Sequence, residues 1–487
     1  MTAHGTRDGH TRDGQDADDF DVEEALALAK DGGGHEPPRT SADPGTSGSP
    51  ATPSAPGGRP APRHHVTPWA EARALAARAP HLGSRPAPVS VPLDAALGLT
   101  LATPLTALTD LPSFDTSAMD GWAVAGPGPW DVREEGVLAG HATREPLTDG
   151  EAVRIATGAR VPPDTTAVLR SEHGRTDARG ALYATRRVLH GQDIRSRGQE
   201  CRDGDRLLSA GTLITPAVLG LAAAAGYDTL TAVRRPRVEV LVLGDELLTQ
   251  GLPHDGLIRD ALGPLLPPWL RALGADVVAV RRLGDDADAL HHALTAPDAA
   301  PRVAQDTASD TASGTAPSAA PDVDVVVTTG GTAAGPVDHV HPTLRRIGAE
   351  LLVDGVRVRP GHPMLLARLG DGRHLVGLPG NPLAAVSGLL TLAEPLLRTL
   401  AARPVPEPYR LPLGDAVHGH PHDTRLVPVV LRGDHTVPLH YNGPAMLRGV
   451  AAADALAVVP PGGARSGQET EVLDLPWASG GIGVCFT

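Results

Sequence analysis

The sequence predicts a multidomain α/β protein: an α/β domain with a mostly parallel sheet, a mixed or β-rich subdomain ahead of it and a small β-barrel behind it. Three observations carry this. Strand-like and helix-like runs alternate from Arg237 to Leu400, the pattern of parallel strands joined by helices. Short apolar runs broken by Gly and Pro fill 104–188 and 403–476, as in β structure with tight turns. A chain of 487 residues has room for about three domains of ordinary size.

Composition narrows the chemistry. Hydrophobic residues make up 41% but aromatics only 2%, so the core must be aliphatic. A net charge of −14, from 57 acidic and 43 basic residues, argues against nucleic acid as a partner. Lys30 is the only lysine, so phosphate contacts in the folded part must come from Arg, His, backbone amides or a metal. Cys201 and Cys485 are too few for a disulfide framework or a zinc cluster. The start, MTAHGTRDGH, lacks a signal-like apolar region, and no stretch reads as a membrane span, so a cytoplasmic protein is expected.

Residues 1–65, rich in Asp, Gly, Pro, Ser and Thr, read as a disordered tail with one helical patch, Val22–Lys30. Thr67 is placed to cap a helix, Trp69–Ala79, with Pro68 at its first position. Strand-like runs follow at Val89–Leu93 and Leu99–Ala102. Asp110–Val124, DLPSFDTSAMDGWAV, gathers Asp115, Ser117 and Asp120 on a loop; residue by residue it reads slightly more readily as a hydrogen-bonded type I turn than as a functional loop. Val153 and Ile155 mark a strand that ends in the tight turn Thr157-Gly158. Val188–Asp205, with Arg195, Arg197, Glu200, Asp203 and Asp205, reads as a solvated, salt-bridged hairpin.

In the α/β part, Arg237–Glu246 is a strand running into Gly244, Asp245 and Glu246. Helix-like Leu257–Leu273, strand Ala275–Val280 and helix Asp286–Leu294 come next, then a flexible insert at 296–321. Asp322–His339, DVDVVVTTGGTAAGPVDH, is a buried strand ending in Gly330, Gly331 and Gly335, with Asp338 just past the turn. Such glycines let backbone amides approach an anion, although a plain glycine turn with a helix-capping Asp fits as well. Helix Thr343–Ile347 precedes strands near Val356–Val358, Leu365–Leu366 and His374–Gly377, and helix Ala384–Leu400 closes the domain. Past Pro404, short runs at Leu426–Leu431, Val437–Leu439, Ala455–Val459 and Glu471–Leu473 make the barrel, and Ala478–Thr487 reads as poorly ordered.

Four turns follow strands here: 243–246, 328–338, 359–363 and 378–382. If the strands are parallel, the turns share one sheet edge, where open α/β sheets bind ligands. That edge offers amides for phosphate and the carboxylates Glu246 and Asp338, a set suited to Mg²⁺ and a nucleotide or pyrophosphate.

Taken in order, PSFDTSAMDGWAV, RIATGARVP, DIRSRGQE, LGDEL, TTGGTAAGPVD, RPGHP and GLPGNPLAA resemble the molybdopterin molybdenumtransferase family, which includes the E domain of gephyrin. The likeness spans about Val66–Leu473 apart from the insert. It implies an elongated homodimer of four-part subunits: a linker or dimerisation domain from 66–103 and 189–236, a β-rich subdomain 104–188, a molybdopterin-binding α/β domain 237–402, and a C-terminal β domain 403–476. It implies that adenylylated molybdopterin and molybdate are the substrates, that molybdenum enters the dithiolene with loss of AMP, and that Mg²⁺ is needed. A molybdopterin adenylyltransferase or a molybdoenzyme is the implied protein partner. The FDTSAMDG region of one subunit would face the α/β domain of the other. Carried over, the catalytic set is Asp120, Thr157, Glu200, Glu246 and Asp338, with Glu246 and Asp338 toward metal. The ligand-binding set is Gly330, Gly331, Gly335, Arg359, His362, Pro379, Gly380, Asn381, Pro382 and Asp260.

The chain departs from the family pattern. Leu243 precedes GDEL where Thr or Ser is usual, and Ala261-Leu262 follow Asp260. Ala333 and Ala384 replace serines, Pro336 stands where an acid is common, and Arg359 and His362 replace lysines. A lost donor to a buried phosphate weakens binding by about 1–3 kcal/mol. The competing reading is therefore a non-catalytic or ligand-drifted paralogue that binds a pterin, a nucleotide or a partner protein. A third reading, the adenylyltransferase step, does not account for the flanking FDTSAMDG and C-terminal β domains.

Overall fold

The computed structural model describes residues 66–82, 87–138, 140, 145–295, 323–333, 335 and 338–477. The Val22–Lys30 patch, the 296–321 insert, Pro336 and Ala478–Thr487 lie outside them.

Six strands form the central α/β sheet: β1 (Arg237–Leu243), β2 (Asp276–Leu283), β3 (Val325–Thr329), β4 (Glu350–Asp354), β5 (Leu365–Arg368) and β6 (His374–Leu378). Their order is β2-β1-β3-β6-β5-β4. The first four run parallel, β5 runs antiparallel to β6, and β4 is antiparallel to β5. Val325, Val326 and Val327 are fully buried, as a strand covered on both faces requires. The helix Leu262–Ala272 starts later than the periodicity suggests and accommodates Pro267 and Pro268.

The helix read as Ala384–Leu400 begins at Pro382 and carries a π segment, Leu389–Ala393, before Glu394–Leu400. At 19 residues it is long and apolar enough to pass for a membrane span, contrary to expectation, yet 83% of its apolar window is buried. It is a core helix, apolar all round because the helix Trp69–Arg78 covers one side and the sheet another.

Thr67 does not cap that first helix. Thr67–Pro68 pairs in parallel with Val356–Arg359, and Pro68 takes the N-cap position with no side-chain bond. Val356–Arg359 also pairs with Thr424–Arg432, so it belongs to the C-terminal sheet and not to the central one. In the C-terminal part Leu413 bridges Thr436, and the Gly414 N–H donates to the Thr436 carbonyl at 2.7 Å. The strand Tyr409–Pro412, which pairs with Glu469–Asp474 on one side, thereby meets His435–Pro438 on the other, closing the small barrel.

Ahead of the α/β part, Gly121–Val124, Trp130–Val137, Glu151–Ile155, Ala167–Arg170, Gly174–Thr176 and Ala181–Ala184 form a six-stranded sheet. A three-stranded sheet, Pro88–Pro92, Thr229–Val233 and Thr100–Leu101, packs with the helix Pro216–Ala224. The stretch 188–205 is not a hairpin: Ile194–Arg195 pairs with Thr116–Ser117, and Arg206–Leu208 with Leu105–Thr106. Each strand finds its partner in the segment that precedes the six-stranded sheet, which ties sequence-distant motifs together.

Candidate active site

Two groups of candidate residues emerge. The first lies on loops beside the six-stranded sheet. Ser117 is fully buried; its Oγ donates to the Met119 carbonyl at 2.6 Å and shapes the bend that leaves Asp120 exposed. The Thr157 N–H donates to Asp120 Oδ1 at 2.8 Å, and Gly158, at φ +77°, closes that turn on the Ser117 carbonyl. The Arg197 N–H donates to Asp115 Oδ1 at 2.7 Å, and the Ala118 N–H to the Asp193 carbonyl at 2.8 Å. The segments 115–120, 157–161 and 193–197 thus become one surface. Arg170 grips Asp193 with two bonds of 2.9 Å and holds its carboxyl below the ordinary range. Asp110, bonded by the Asp203 N–H and paired with Arg197, is lowered likewise. Arg160 lies 5.5 Å over the half-exposed Phe114 ring. Glu200 is exposed near this group, its N–H bonded to the Leu111 carbonyl.

The second group lies at the carboxyl edge of the central sheet. Val242, Thr329 and Leu378 stand in register on β1, β3 and β6, so the turns after them emerge side by side. The Gly330 N–H donates to the Leu378 carbonyl at 2.9 Å. Gly330 and Gly331 have φ of +77° and +67°, a conformation that side chains resist. A Cβ on Gly380 would stand 3.7 Å from the Gly330 Cα, and one on Gly331 would stand 3.2 Å from Leu243 Cδ1. The Glu246 carboxylate folds back to where a Cβ on Gly244 would be, and Glu246 is exposed. Asp338 accepts the Gly335 N–H through Oδ2, which tightens the glycine loop.

The 359–363 turn reaches this edge by a different route. It leaves a strand of the C-terminal sheet and enters antiparallel β5, whose Leu365 stands opposite Gly377 at the end of β6. Gly361 leans on the helix beginning at Pro382: a Cβ there would meet the Ala384 carbonyl at 3.0 Å.

Two expected ligand contacts, Asp260 and Arg359, are already engaged within the chain. Asp260 is buried; Oδ1 accepts the Gly263 N–H at 2.8 Å and Oδ2 pairs with Arg282 at 2.5 Å, so it caps a helix. Arg359 Nε donates to Asp423 Oδ2 at 3.0 Å. Beside Pro379, Asn381 makes no side-chain cap, and the Leu383 and Ala384 amides after Pro382 donate to the Pro444 carbonyl at 2.9 and 3.3 Å. Asp423 and Pro444 carry no local sequence signal, because each acts on a turn about sixty residues away.

Among the described residues, no hydrogen bond or ion pair joins Asp120, Thr157 or Glu200 to Glu246 or Asp338. The candidate residues therefore fall into two groups with no direct bond between them.

These features define a class: a multidomain α/β protein with a glycine-lined turn at one sheet edge and a separate charged loop surface. Three family profiles match the chain in succession: the MoeA N-terminal region (domain I and II) over 67–226, a probable molybdopterin binding domain over 239–399, and the MoeA C-terminal region (domain IV) over 410–475. The chain is 34% identical over 340 residues to molybdopterin molybdenumtransferase 2 of Mycobacterium tuberculosis, covering 66% of this chain and 77% of that protein. It is 27% identical over 404 residues to the molybdopterin molybdenumtransferase of Staphylococcus aureus, covering 80% and 90%. In fold it resembles the molybdopterin biosynthesis moeA protein of Pyrococcus horikosii, with a TM-score of 0.67 and 24% identity over 84% of this chain and 99% of that one. The chain belongs to the molybdopterin molybdenumtransferase (MoeA) family, a family of transferase enzymes.

Proposed function

We propose that this protein inserts molybdenum from molybdate into adenylylated molybdopterin, releasing AMP, in a Mg²⁺-dependent reaction. The observation that carries the proposal is the pair of ordered half-sites: the Asp120–Thr157 surface and the glycine edge with Glu246 and Asp338. A homodimer that sets the loop surface of one copy against the edge of the other makes them a single site. At the edge, the Gly330–Gly331 turn holds phosphate oxygens through backbone amides and leaves no side chain in their way. On the facing surface, Asp120 is fixed by the Thr157 amide and exposed, placed to orient molybdate oxygens or move their protons. Glu200 offers a second exposed carboxylate for the same task.

The edge fits a hard divalent cation. Glu246 has no ion-pair partner among the described residues, and Asp338 keeps one oxygen beyond its bond to Gly335. No group of three acidic, His or Cys side chains gathers among the described residues, so Mg²⁺ held here draws its remaining ligands from substrate phosphate and water. The bound ion would neutralise pyrophosphate charge as AMP leaves.

Incubating the protein with adenylylated molybdopterin, molybdate and Mg²⁺ tests this. Formation of molybdenum cofactor with stoichiometric AMP supports it, and a folded dimer that releases no AMP defeats it. The inward-turned Asp260 and the Asp423-paired Arg359 favour a second reading, a relative that has drifted toward another pterin or nucleotide. That reading predicts ligand binding without turnover in the same assay.

A further inference from the structure

We infer that Arg235 and Arg403 form a second oxyanion site, remote from the candidate active site, that takes a tetrahedral dianion of the sulfate or molybdate type. Arg235 leads through Pro236 into β1, and Glu246 follows the other end of that strand. Seven residues of extended chain put about 20 Å between those ends, so the pair lies at the opposite edge of the central sheet. The two side chains meet at Gly98. The Arg235 Nη2 donates to the Leu97 carbonyl at 3.3 Å, and the Arg403 Nη2 to the Gly98 carbonyl at 3.0 Å. The same two nitrogens stand 3.4 and 4.0 Å from the place of a Cβ on Gly98, whose φ is +74°. Among the described residues no other atom beyond Leu97–Leu99 comes within 4 Å of that place. Two guanidinium groups thus border one open spot above a residue that has no side chain to fill it.

No carboxylate neutralises this pair. Arg403 is half-buried, its guanidinium seated where a Cβ on Gly274 would be, and its Nη1 donates to the Ala272 carbonyl at 3.5 Å. Burial holds its pKa down to about 10, and the neighbouring charges that add to the shift, Arg235 and Arg398, are both positive. The other arginines of this junction have acidic partners: Arg234 pairs with Asp324 at 2.6 Å and Arg398 with Glu394 at 2.9 Å. Among the described residues no ion pair reaches Arg235 or Arg403, and Asp276, in register with Arg237, joins neither. Carbonyls take one hydrogen from Arg235 and two from Arg403, of the five that each guanidinium carries. Those left over form planar forks that match the edges of an oxyanion. Two adjacent like charges repel, and a dianion set between them balances both. The pair joins the turn at Gly98, the entry to β1 and the exit from the helix Glu394–Leu400, so a bound anion should hold all three together.

The test is thermal melting of the full chain in rising millimolar sulfate or molybdate, with chloride exchanged to hold ionic strength constant. The wild-type midpoint should climb and level off with each dianion, as binding to the folded state requires, and the anion that acts at the lower concentration is the preferred occupant. Nitrate, a planar monoanion, should give no such rise. Arg235 is exposed, so Arg235→Gln should fold normally and need about tenfold more sulfate for the same shift. Arg403→Lys, which keeps the charge and loses the fork, should weaken the response likewise. The readout is the anion-dependent shift: a pair that merely clasps the turn at Gly98 would lower the melt in both variants and leave the sulfate response as in wild type. Absence of a saturable rise in wild type, or an equal rise with nitrate, overturns the site. So does a response that begins at wild-type concentrations in both variants, which would put the anion elsewhere, the glycine edge included.

Discussion

Asp120 and Asp260 are both carboxylates one residue from a motif turn, yet they face opposite fates. Asp120 gives one oxygen to the Thr157 amide and leaves the other in solvent. Asp120→Asn keeps an acceptor for that amide, so melting should shift little while AMP release falls by about a hundredfold or more. Unchanged turnover in Asp120→Asn would remove this carboxylate from the chemistry. Asp260 has both oxygens taken by Gly263 and Arg282, so Asp260→Ala should cost about 1–3 kcal/mol in urea unfolding, losing a cap and stranding a guanidinium. His374 adds a pH term. Burial holds its imidazole below the ordinary 6.5, outweighing a bond to Ala79, and Nε2 has no partner among the described residues. The unfolded ring therefore binds protons at pH values where the folded ring does not. Its contribution is whole above about pH 6.5 and drains away as pH falls toward the folded value. The wild-type urea midpoint should drop between pH 7 and about pH 5 more steeply than that of His374→Leu.

At the scale of elements, the helix Pro382–Leu400 depends on a helix some three hundred residues earlier. Pro395 has no N–H to return to the preceding turn, and the helix widens there into its π segment. The Leu390 carbonyl that results is taken by the Arg73 guanidinium, and the Trp69 Nε1 donates to Thr391 Oγ1 at 3.1 Å. Arg73 also faces Glu394 at 3.9 Å. Arg73→Met should therefore lower stability by about 1–3 kcal/mol, and a melt matching wild type would show that water serves that carbonyl equally well. Sequence made the first helix legible through its start signals and the second through its apolar run, and it made β1, β3 and β6 legible through apolar runs that lead into glycine turns. It could not reveal that Arg73 patches a distant π segment. Nor could it place Val356–Arg359 in the C-terminal sheet, because strand pairing depends on segments far apart in the chain. The same gap explains the site. Glycine corners and free carboxylates are visible in a motif, but the partners that occupy Arg359 and Asp260 appear only once the chain has folded.

At the scale of the molecule, the separation of the half-sites makes a prediction about assembly. In a symmetric dimer each composite site would take Asp120 from one copy and Glu246 from the other. Asp120→Ala and Glu246→Ala homodimers would each carry the same lesion in both sites and should be inactive. A mixed dimer would collect both lesions in one site and leave the other intact, with half the wild-type activity. Random pairing yields mixed dimers half the time, so co-expression in equal amounts should restore about a quarter of wild-type turnover. A site closed within a single chain gives no restoration, because every chain then carries a lesion in its only site. AMP release from a co-purified, doubly tagged heterodimer separates the two cases. Turnover near zero from verified heterodimers would refute the composite site, whatever either single variant does alone.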